Sequence, residues 1–362
     1  MIWFFVSFFA WLGVAFARRN YWGMFLFMLV LASAFRYYVG SDFDDYVFLF
    51  EEAASGREVP VEFSYSSLAR GLSVLGFNFQ AQIVLYSILT YLFLYWGLTA
   101  ISRDKEFLGV VIFFVYIIFY FPSLSIMRQA LAAAIAFYGC YRYLHKNRFI
   151  EFFLMVAFAT FVHMSSIVYL LCILFYFLKP PKTVYIIVLA IAAVLGLTIF
   201  GDLLRFMSDA LGFSYKRYMF ESLPILTPVF YVFTIILIGV FIYSLSVVRK
   251  EDYFLLNVIF FIVVARLLAV DYKPLNRVGA GFSIFIPLFL HQVFFVRFKE
   301  RSKIIAFLLA FPLLIAGDTF RAKKDYSYYQ YSVNFCVYGS PCPVSVIGDL
   351  PLEKLLIREE LR

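Results

Sequence analysis

The feature that most constrains this chain is a series of long apolar stretches, each about 15 to 23 residues, that recurs along the sequence. A transmembrane α-helix needs about 20 mainly apolar residues to cross roughly 30 Å of hydrocarbon. The segment 183–200 (TVYIIVLAIAAVLGLTIF) is apolar on nearly every side. Because lipid offers no partners to backbone polar groups, such segments must satisfy them internally, which predicts helices.

Composition supports a membrane protein. Hydrophobic residues make up 64% of the chain and charged residues 15%, against about half and about 25% in soluble domains. A water-soluble fold cannot bury that much apolar surface. We therefore predict an all-α polytopic integral membrane protein with about twelve transmembrane helices. The predicted spans lie near residues 1–17, 22–38, 79–100, 107–122, 127–144, 149–162, 164–178, 183–200, 225–248, 253–270, 278–296 and 303–317.

The distribution of Lys and Arg predicts the orientation. Basic residues concentrate in the loops on one side of this layout, which the positive-inside rule makes cytoplasmic. Both termini are then extracytoplasmic, although Arg321, Lys323 and Lys324 after the last span oppose that placement. The net charge of +8 follows from the cytoplasmic loops, so it gives no reason to expect nucleic acid as a partner.

Domain organisation follows from the same layout. Residues 1–317 form a multi-span domain with outer loops 39–78 and 201–224, and residues 318–362 form an extracytoplasmic tail. The start of the chain lacks the basic region and cleavage site of a signal peptide, so none is expected.

Four cysteines divide into two pairs. Cys336 and Cys342 in the tail are expected to form a disulfide in an oxidising exterior, the alternative being two thiols, whereas Cys140 and Cys172 lie within spans and are expected in the core.

Three carboxylates cluster just after the second span. Asp42, Asp44 and Asp45 lie between Arg36 and Tyr46. Carboxylates at an outer membrane face can supply a general base or a metal ligand for sugar chemistry. A solvated acidic loop is the alternative.

A second polar group follows Pro122. Arg128 and Gln129 lie at a predicted helix start, where a guanidinium and the helix dipole can bind a diphosphate. An arginine that reaches to lipid headgroups is the alternative. His163 lies at the predicted outer turn of a helical hairpin, where it can act as base, acid or hydrogen-bond donor, or have a purely structural role.

Further arginines lie on the predicted outer side. Arg217 is in the second outer loop, Arg266 is near the end of a span, and Arg277 begins the next. Arg266 can also simply pair with Asp271. Together with Arg128 they favour a polyanionic ligand.

Motifs for ATP-driven transport and for zinc hydrolysis are absent, and we expect neither a cofactor nor a metal.

Four motifs resemble the EpsG-like branch of the Wzy polysaccharide polymerases. They occur in the family's order: RYYVGSDFDDYVFLF (Arg36 to Phe50), SLSIMRQALAAAIAFYGCYRYL (Ser123 to Leu144), FVHMSSIVYLL (Phe161 to Leu171) and LNRVGAGFSIFIPLFL (Leu275 to Leu290). The resemblance implies a GT-C-like glycosyltransferase that joins lipid-linked repeat units outside the cytoplasmic membrane.

The resemblance also implies roles for individual residues. Asp42, Arg128 and His163 would be catalytic. Asp42 is placed first as the base because the family motif has its aspartate two residues after the glycine, and Asp44, Asp45 and His163 stay open as alternatives. Among substrate-binding residues the resemblance matches Tyr46, Gln129 and Arg277, and the outer-side polar residues described above add Arg36, Asp44, Asp45, Arg217 and Arg266. The expected partners are undecaprenyl-pyrophosphate-linked glycans, the lipid bilayer and a chain-length regulator protein. Two other activities stay open: a transferase or ligase that uses the same lipid carrier, and a lipid-linked oligosaccharide flippase, which would place charges at mid-membrane.

Overall fold

The computed structural model describes most of the helical part of the chain. The described residues are 22–37, 39–40, 42–101, 111, 115–198, 228–247, 253–268, 278–279, 281–295, 332–334 and 343–345. The predicted spans 1–17 and 303–317 lie outside them, as do Arg217, Asp271, Arg277, Cys336 and Cys342.

Helices account for nearly all of the regular structure in these residues, which confirms the predicted helical class. The α-helices are α1 (Trp22–Ala34), α2 (Phe43–Ala54), α3 (Phe63–Val74), α4 (Phe79–Ile101), α5 (Phe121–Ser125), α6 (Met127–Lys146), α7 (Phe149–Val162), α8 (Leu171–Phe177), α9 (Lys182–Thr198), α10 (Pro228–Val247), α11 (Tyr253–Leu268) and α12 (Ile286–Phe295). A π-helical segment covers Tyr116–Tyr120, and 3₁₀ segments cover Met164–Leu170 and Phe282–Phe285.

The positions of most predicted spans coincide with helices. By length and composition, α4 is the one helix in the described ranges that is long and apolar enough to cross a bilayer, and several other apolar helices are shorter. The segment 164–178 differs from the prediction, because it begins as a 3₁₀ helix and becomes α-helical at Leu171. The outer segment 39–78 also differs, since it contains α2 and α3.

Helix α6 is the centre of the packing. Its run Ala130 to Phe137 is buried on every side, and it lies between α4 and α7. The alanines in this run allow the neighbouring backbones to approach closely, as small residues do in membrane helix bundles. Cys140, further along α6, and Cys172 in α8 are both buried with free thiols, as predicted.

Aromatic side chains connect α6 to the second half of the bundle. Phe137 of α6 packs edge-on against Phe285, and Phe282 contacts both Tyr169 and Phe261 of α11. Helices α9, α10 and α11 pack beside this layer.

A small sheet joins the two ends of the described chain. Strand β1 (Arg36–Tyr37) pairs antiparallel with β2 (Ser332–Asn334), which pairs with β3 (Pro343–Ser345). Arg36 lies opposite Val333, and Tyr37 lies opposite Ser332. The tail strands are therefore on the same side of the bundle as the end of α1.

Candidate functional site

A carboxylate that precedes α3 connects the two most informative residues of the sequence. Glu62 Oε1 lies 2.6 Å from His163 Nδ1 and accepts a hydrogen bond from the Met164 backbone N–H at 3.3 Å. Its other oxygen, Oε2, forms an ion pair with the Arg128 guanidinium. Glu62, Arg128 and His163, which we call the Glu62 cluster, therefore form one connected unit.

Two tyrosine rings hold the guanidinium of Arg128. Its central carbon lies 5.4 Å from the ring centroid of Tyr46 in α2 and 5.4 Å from that of Tyr65 in α3. Stacking of this kind is favourable because the ring face is electron-rich. The Tyr65 hydroxyl donates a hydrogen bond to the Tyr46 carbonyl at 2.8 Å, which fixes the two rings relative to each other.

Three helix starts meet at the cluster. Glu62 is the residue before α3, Arg128 is the second residue of α6, and His163 precedes the 3₁₀ segment that begins at Met164. The helical conformation is interrupted at Ile126, four residues after Pro122, and α6 begins at the next residue. Helix N-termini carry partial positive charge, so their convergence with an arginine creates a local preference for anions.

The electrostatics of the cluster keep Glu62 ionised. Burial by itself would raise the pKa of this carboxyl, but the hydrogen bond with His163 and the charge of Arg128 outweigh it and lower the pKa to about 2. Glu62 is therefore a permanent anion at neutral pH, suited to orient an imidazole. Burial also raises the pKa of Tyr46, so its ring stays a neutral phenol under Arg128.

The cluster is largely buried but not fully enclosed. The exposed fractions of the side chains are 16% for Arg128, 16% for Glu62 and 24% for His163. Each of the three side chains therefore keeps part of its surface exposed.

The acidic loop borders the cluster. Gly40 has φ +107°, and a Cβ at this position would lie 2.5 Å from the Leu124 carbonyl oxygen, so only glycine fits where the loop rests on the break before α6. Asp42 precedes α2. The pKa of Tyr46 is raised mainly by burial; Arg128 opposes this rise, and the charge of Asp42 adds to it. Asp44 and Asp45 are exposed in the first turn of α2.

Arg36 and Gln129 lie at the start of α6, next to the cluster in the chain or in contact with its neighbours. Arg36 is 2% exposed and donates hydrogen bonds to the carbonyl and hydroxyl of Ser33 at 2.7 and 2.9 Å, and to Met127 Sδ at 3.9 Å. Gln129 is buried, and its Nε2 lies 3.5 Å from the position of a Cβ at Gly281. The Gly281 carbonyl accepts a hydrogen bond from the Tyr169 hydroxyl. Both residues are placed to hold α6.

Arg266 lies on another helix pair. Its Nε donates to Thr234 Oγ1 at 2.9 Å, and its guanidinium lies 4.9 Å from the centre of the Phe233 ring. These contacts attach Arg266 to α10. The structure thus brings Arg128, His163 and Tyr46 together and places Asp42 close to Tyr46. Arg36 contacts Met127, Gln129 follows Arg128 in α6, and Arg266 contacts α10.

Sequence reasoning missed Glu62 and Tyr65. Both belong to a segment interpreted as a loop. The partners of Glu62 are also far away in the sequence, with Arg128 66 positions and His163 101 positions from it. The available signal was an acid between Val61 and Phe63 at the start of an amphipathic stretch. Among the side chains that the structure describes, no group of three or more His, Cys, Asp or Glu gathers in a way that could hold a metal ion.

Comparison with known proteins gives one clear result. The profile of the EpsG family matches residues 19–333, which include all four sequence motifs and the complete Glu62 cluster. No curated protein and no solved structure matches the chain. Because the matched range covers most of the sequence, the chain belongs to the EpsG family.

Proposed function

We propose that this protein is a polysaccharide polymerase that joins undecaprenyl-pyrophosphate-linked repeat units by glycosyl transfer at the extracytoplasmic face of the cytoplasmic membrane. Family membership supports a membrane protein with a polymerase-type role in polysaccharide biosynthesis. The observation that carries the finer proposal is the Glu62 cluster, which combines a fixed guanidinium with a carboxylate-bound imidazole.

Arg128 suits the leaving group. In the reaction, the bond between the anomeric carbon of the growing chain and the diphosphate oxygen breaks, and the diphosphate leaves with the electron pair. A guanidinium can stabilise the charge that develops on that oxygen through paired hydrogen bonds. The helix starts around Arg128 add to this stabilisation.

His163 suits the acceptor. When its ring proton is on Nδ1, hydrogen-bonded to Glu62, the free lone pair is on Nε2. An acceptor hydroxyl attacks the anomeric carbon and so forms the new glycosidic bond. Its proton passes to Nε2. Glu62 holds the imidazole in this tautomer and stabilises its cationic form, the role that a carboxylate has beside histidine in hydrolase triads.

Asp42 is the competing proton acceptor. The loop motif favoured it, and it lies one helical turn before Tyr46, which stacks on Arg128. We place the proton transfer on His163 because its ring is held directly by the carboxylate that also binds Arg128.

A GT-C-like arrangement of about twelve spans is part of the proposal. The described helices at most predicted span positions support it, and so does the pairing of β1 with β2, which joins the tail to the side that carries the acidic loop.

The test is reconstitution. Purified protein in liposomes is supplied with undecaprenyl-pyrophosphate-linked repeat units, and the products are separated by chain length on a gel. The proposal expects a ladder of chain lengths that disappears with Arg128→Ala. A single addition to a different acceptor would identify a ligase, and transfer of the lipid between leaflets without bond formation would identify a transporter.

A further inference from the structure

Arg128 uses only part of its hydrogen-bonding capacity. Its NH1 forms the ion pair with Glu62 and a further side-chain hydrogen bond joins the guanidinium to Tyr46, while its buried Nε has no hydrogen-bond partner. A guanidinium binds a phosphate best through two parallel N–H bonds. The rings of Tyr46 and Tyr65 hold the group in place independently of Glu62. The guanidinium of Arg128 is thus held in position while at least one of its N–H donors has no acceptor.

Glu62 divides its two oxygens between different partners. Oε1 is bound by the His163 ring and by the Met164 backbone N–H, and Oε2 is bound by Arg128. Loss of the Arg128 contact would therefore leave the carboxylate anchored to His163. The structure allows the ion pair to break without moving the imidazole.

We infer that Glu62 occupies the place of the donor diphosphate on Arg128, and that donor binding moves Arg128 from this carboxylate to the diphosphate. The inference rests on the proposed function, because it assumes a diphosphate-linked donor. It assigns Glu62 as a positioning residue that connects the leaving-group site to the proton acceptor.

The exchange changes the charge that His163 meets. Before donor binding, the negative charge of Glu62 is shared between the guanidinium and the imidazole. Once the diphosphate neutralises Arg128, the field of the carboxylate acts on His163 without that competing cation, so the imidazole becomes a better proton acceptor. Acceptor activation then follows donor binding.

The decisive variant is Glu62→Gln, which keeps the shape of the side chain and removes its charge. With the competing anion gone, undecaprenyl pyrophosphate should bind about 3- to 10-fold more tightly. Turnover should fall by about 100-fold or more, because the amide no longer stabilises the imidazolium. These opposite changes distinguish the exchange from a merely structural role, which would weaken both binding and turnover.

The experiment uses the full chain in lipid nanodiscs, with undecaprenyl pyrophosphate as the binding probe and ladder formation as the measure of turnover. Glu58→Gln is the matched control, since it removes the same charge from an exposed position in the same outer segment. Its affinity for undecaprenyl pyrophosphate and its ladder formation should equal those of the unmodified protein.

A second variant covers the case in which Glu62→Gln does not fold. Glu62→Asp retains the charge but is one methylene shorter, so it cannot reach both Arg128 and His163. Because His163 and the Met164 N–H together hold one end of the carboxylate, the shorter side chain should give up Arg128, and donor binding should again tighten. Unchanged or weaker binding in the folded variant overturns the inference. If the unmodified protein neither binds the probe nor forms a ladder, the proposed function itself fails. If the unmodified protein binds the probe and forms ladders but the Glu62 variants do not bind the probe more tightly, only the exchange is ruled out.

Discussion

Helix α6 carries an arginine near each of its ends, each bound to a carboxylate from a neighbouring segment, and the two sites differ instructively. At its start, Glu62 binds Arg128 and His163. At its end, Glu151 binds Arg142, with Nε 2.6 Å from Oε2, and also Arg148. Arg128 and Arg142 are about 21 Å apart along the helix axis. Each site places one carboxylate between two basic groups, so the chemistry of the groups alone does not separate them.

Sequence separation and burial distinguish the two sites. The partners of Glu151 lie 9 and 3 positions away, and its side chain is 35% exposed. The partners of Glu62 lie 66 and 101 positions away, and its side chain is 16% exposed. A local, exposed ion pair braces the turn between α6 and α7 and contributes little. A cluster assembled from three distant segments at three helix starts depends on tertiary packing, which is typical of a functional site.

The largest expected effect separates the two arginines. Arg128→Lys should reduce chain extension by about 100-fold or more, because lysine keeps the charge but cannot form the paired bonds to a diphosphate. Arg142→Lys makes the same exchange at the other end of α6 and should change the rate by about twofold or less. Ladder formation by equal amounts of folded protein measures both. Equal losses would show that α6 responds to either arginine as a structural element.

A smaller effect is expected from Asp42 than from His163. His163→Ala removes the proposed proton acceptor and should lower the rate by about 100-fold. Asp42→Asn keeps most of the hydrogen bonds and should cost less than about tenfold. The measurement is single-round extension with saturating donor. Should Asp42→Asn abolish extension while His163→Ala retains it, the base is Asp42, and the Glu62 cluster serves the leaving group only.

The two ends of α6 should also differ in their side of the membrane. Reporter fusions after residues 55, 212 and 330 should report an exterior location, and those after 103, 146, 180, 250 and 300 a cytoplasmic one. The fusion after 330 tests the tail, whose strand β2 pairs with β1. A cytoplasmic result there would remove the last predicted span and the expected disulfide between Cys336 and Cys342.

The smallest effect concerns acid stability. The pKa of Glu62 is lowered to about 2, from an ordinary value of 4.5, so its ionised form stabilises the folded protein above pH 4.5. This stabilisation should be lost progressively as the pH falls from about 4.5 towards 2. Thermal unfolding in detergent should show a steeper acid decline for the native protein than for Glu62→Gln. Parallel curves would mean that the ion pair contributes no net stability.

Much of the site was predictable because its signals are local. Pro122 and the polar residues after it indicated the start of α6 and hence Arg128, and a histidine between apolar stretches indicated the turn at His163. Apolar runs located most helices for the same reason. These features depend on neighbouring residues, which the sequence displays directly.

The rest of the site depends on tertiary contacts. Glu62 resembles any other acid in its segment until α3 is packed against the end of α7, where Ser64 Oγ donates to the Phe161 carbonyl at 2.6 Å. Helices α2 and α3 are short and amphipathic, so hydropathy did not reveal them. The 3₁₀ start at Met164 was hidden because a 3₁₀ segment and an α-helix can have equally apolar sequences.

The pairing of β1 with β2 has a consequence for biogenesis. Arg36 and Tyr37 are among the first described residues to leave the ribosome, and their strand partners Val333 and Ser332 are among the last. The sheet beside the acidic loop therefore cannot form until nearly the whole chain has been synthesised and inserted. A nascent polypeptide halted before Ser332 would contain all three residues of the Glu62 cluster, but β1 would still lack its partner strand. Folding of this face of the protein is therefore completed late in synthesis.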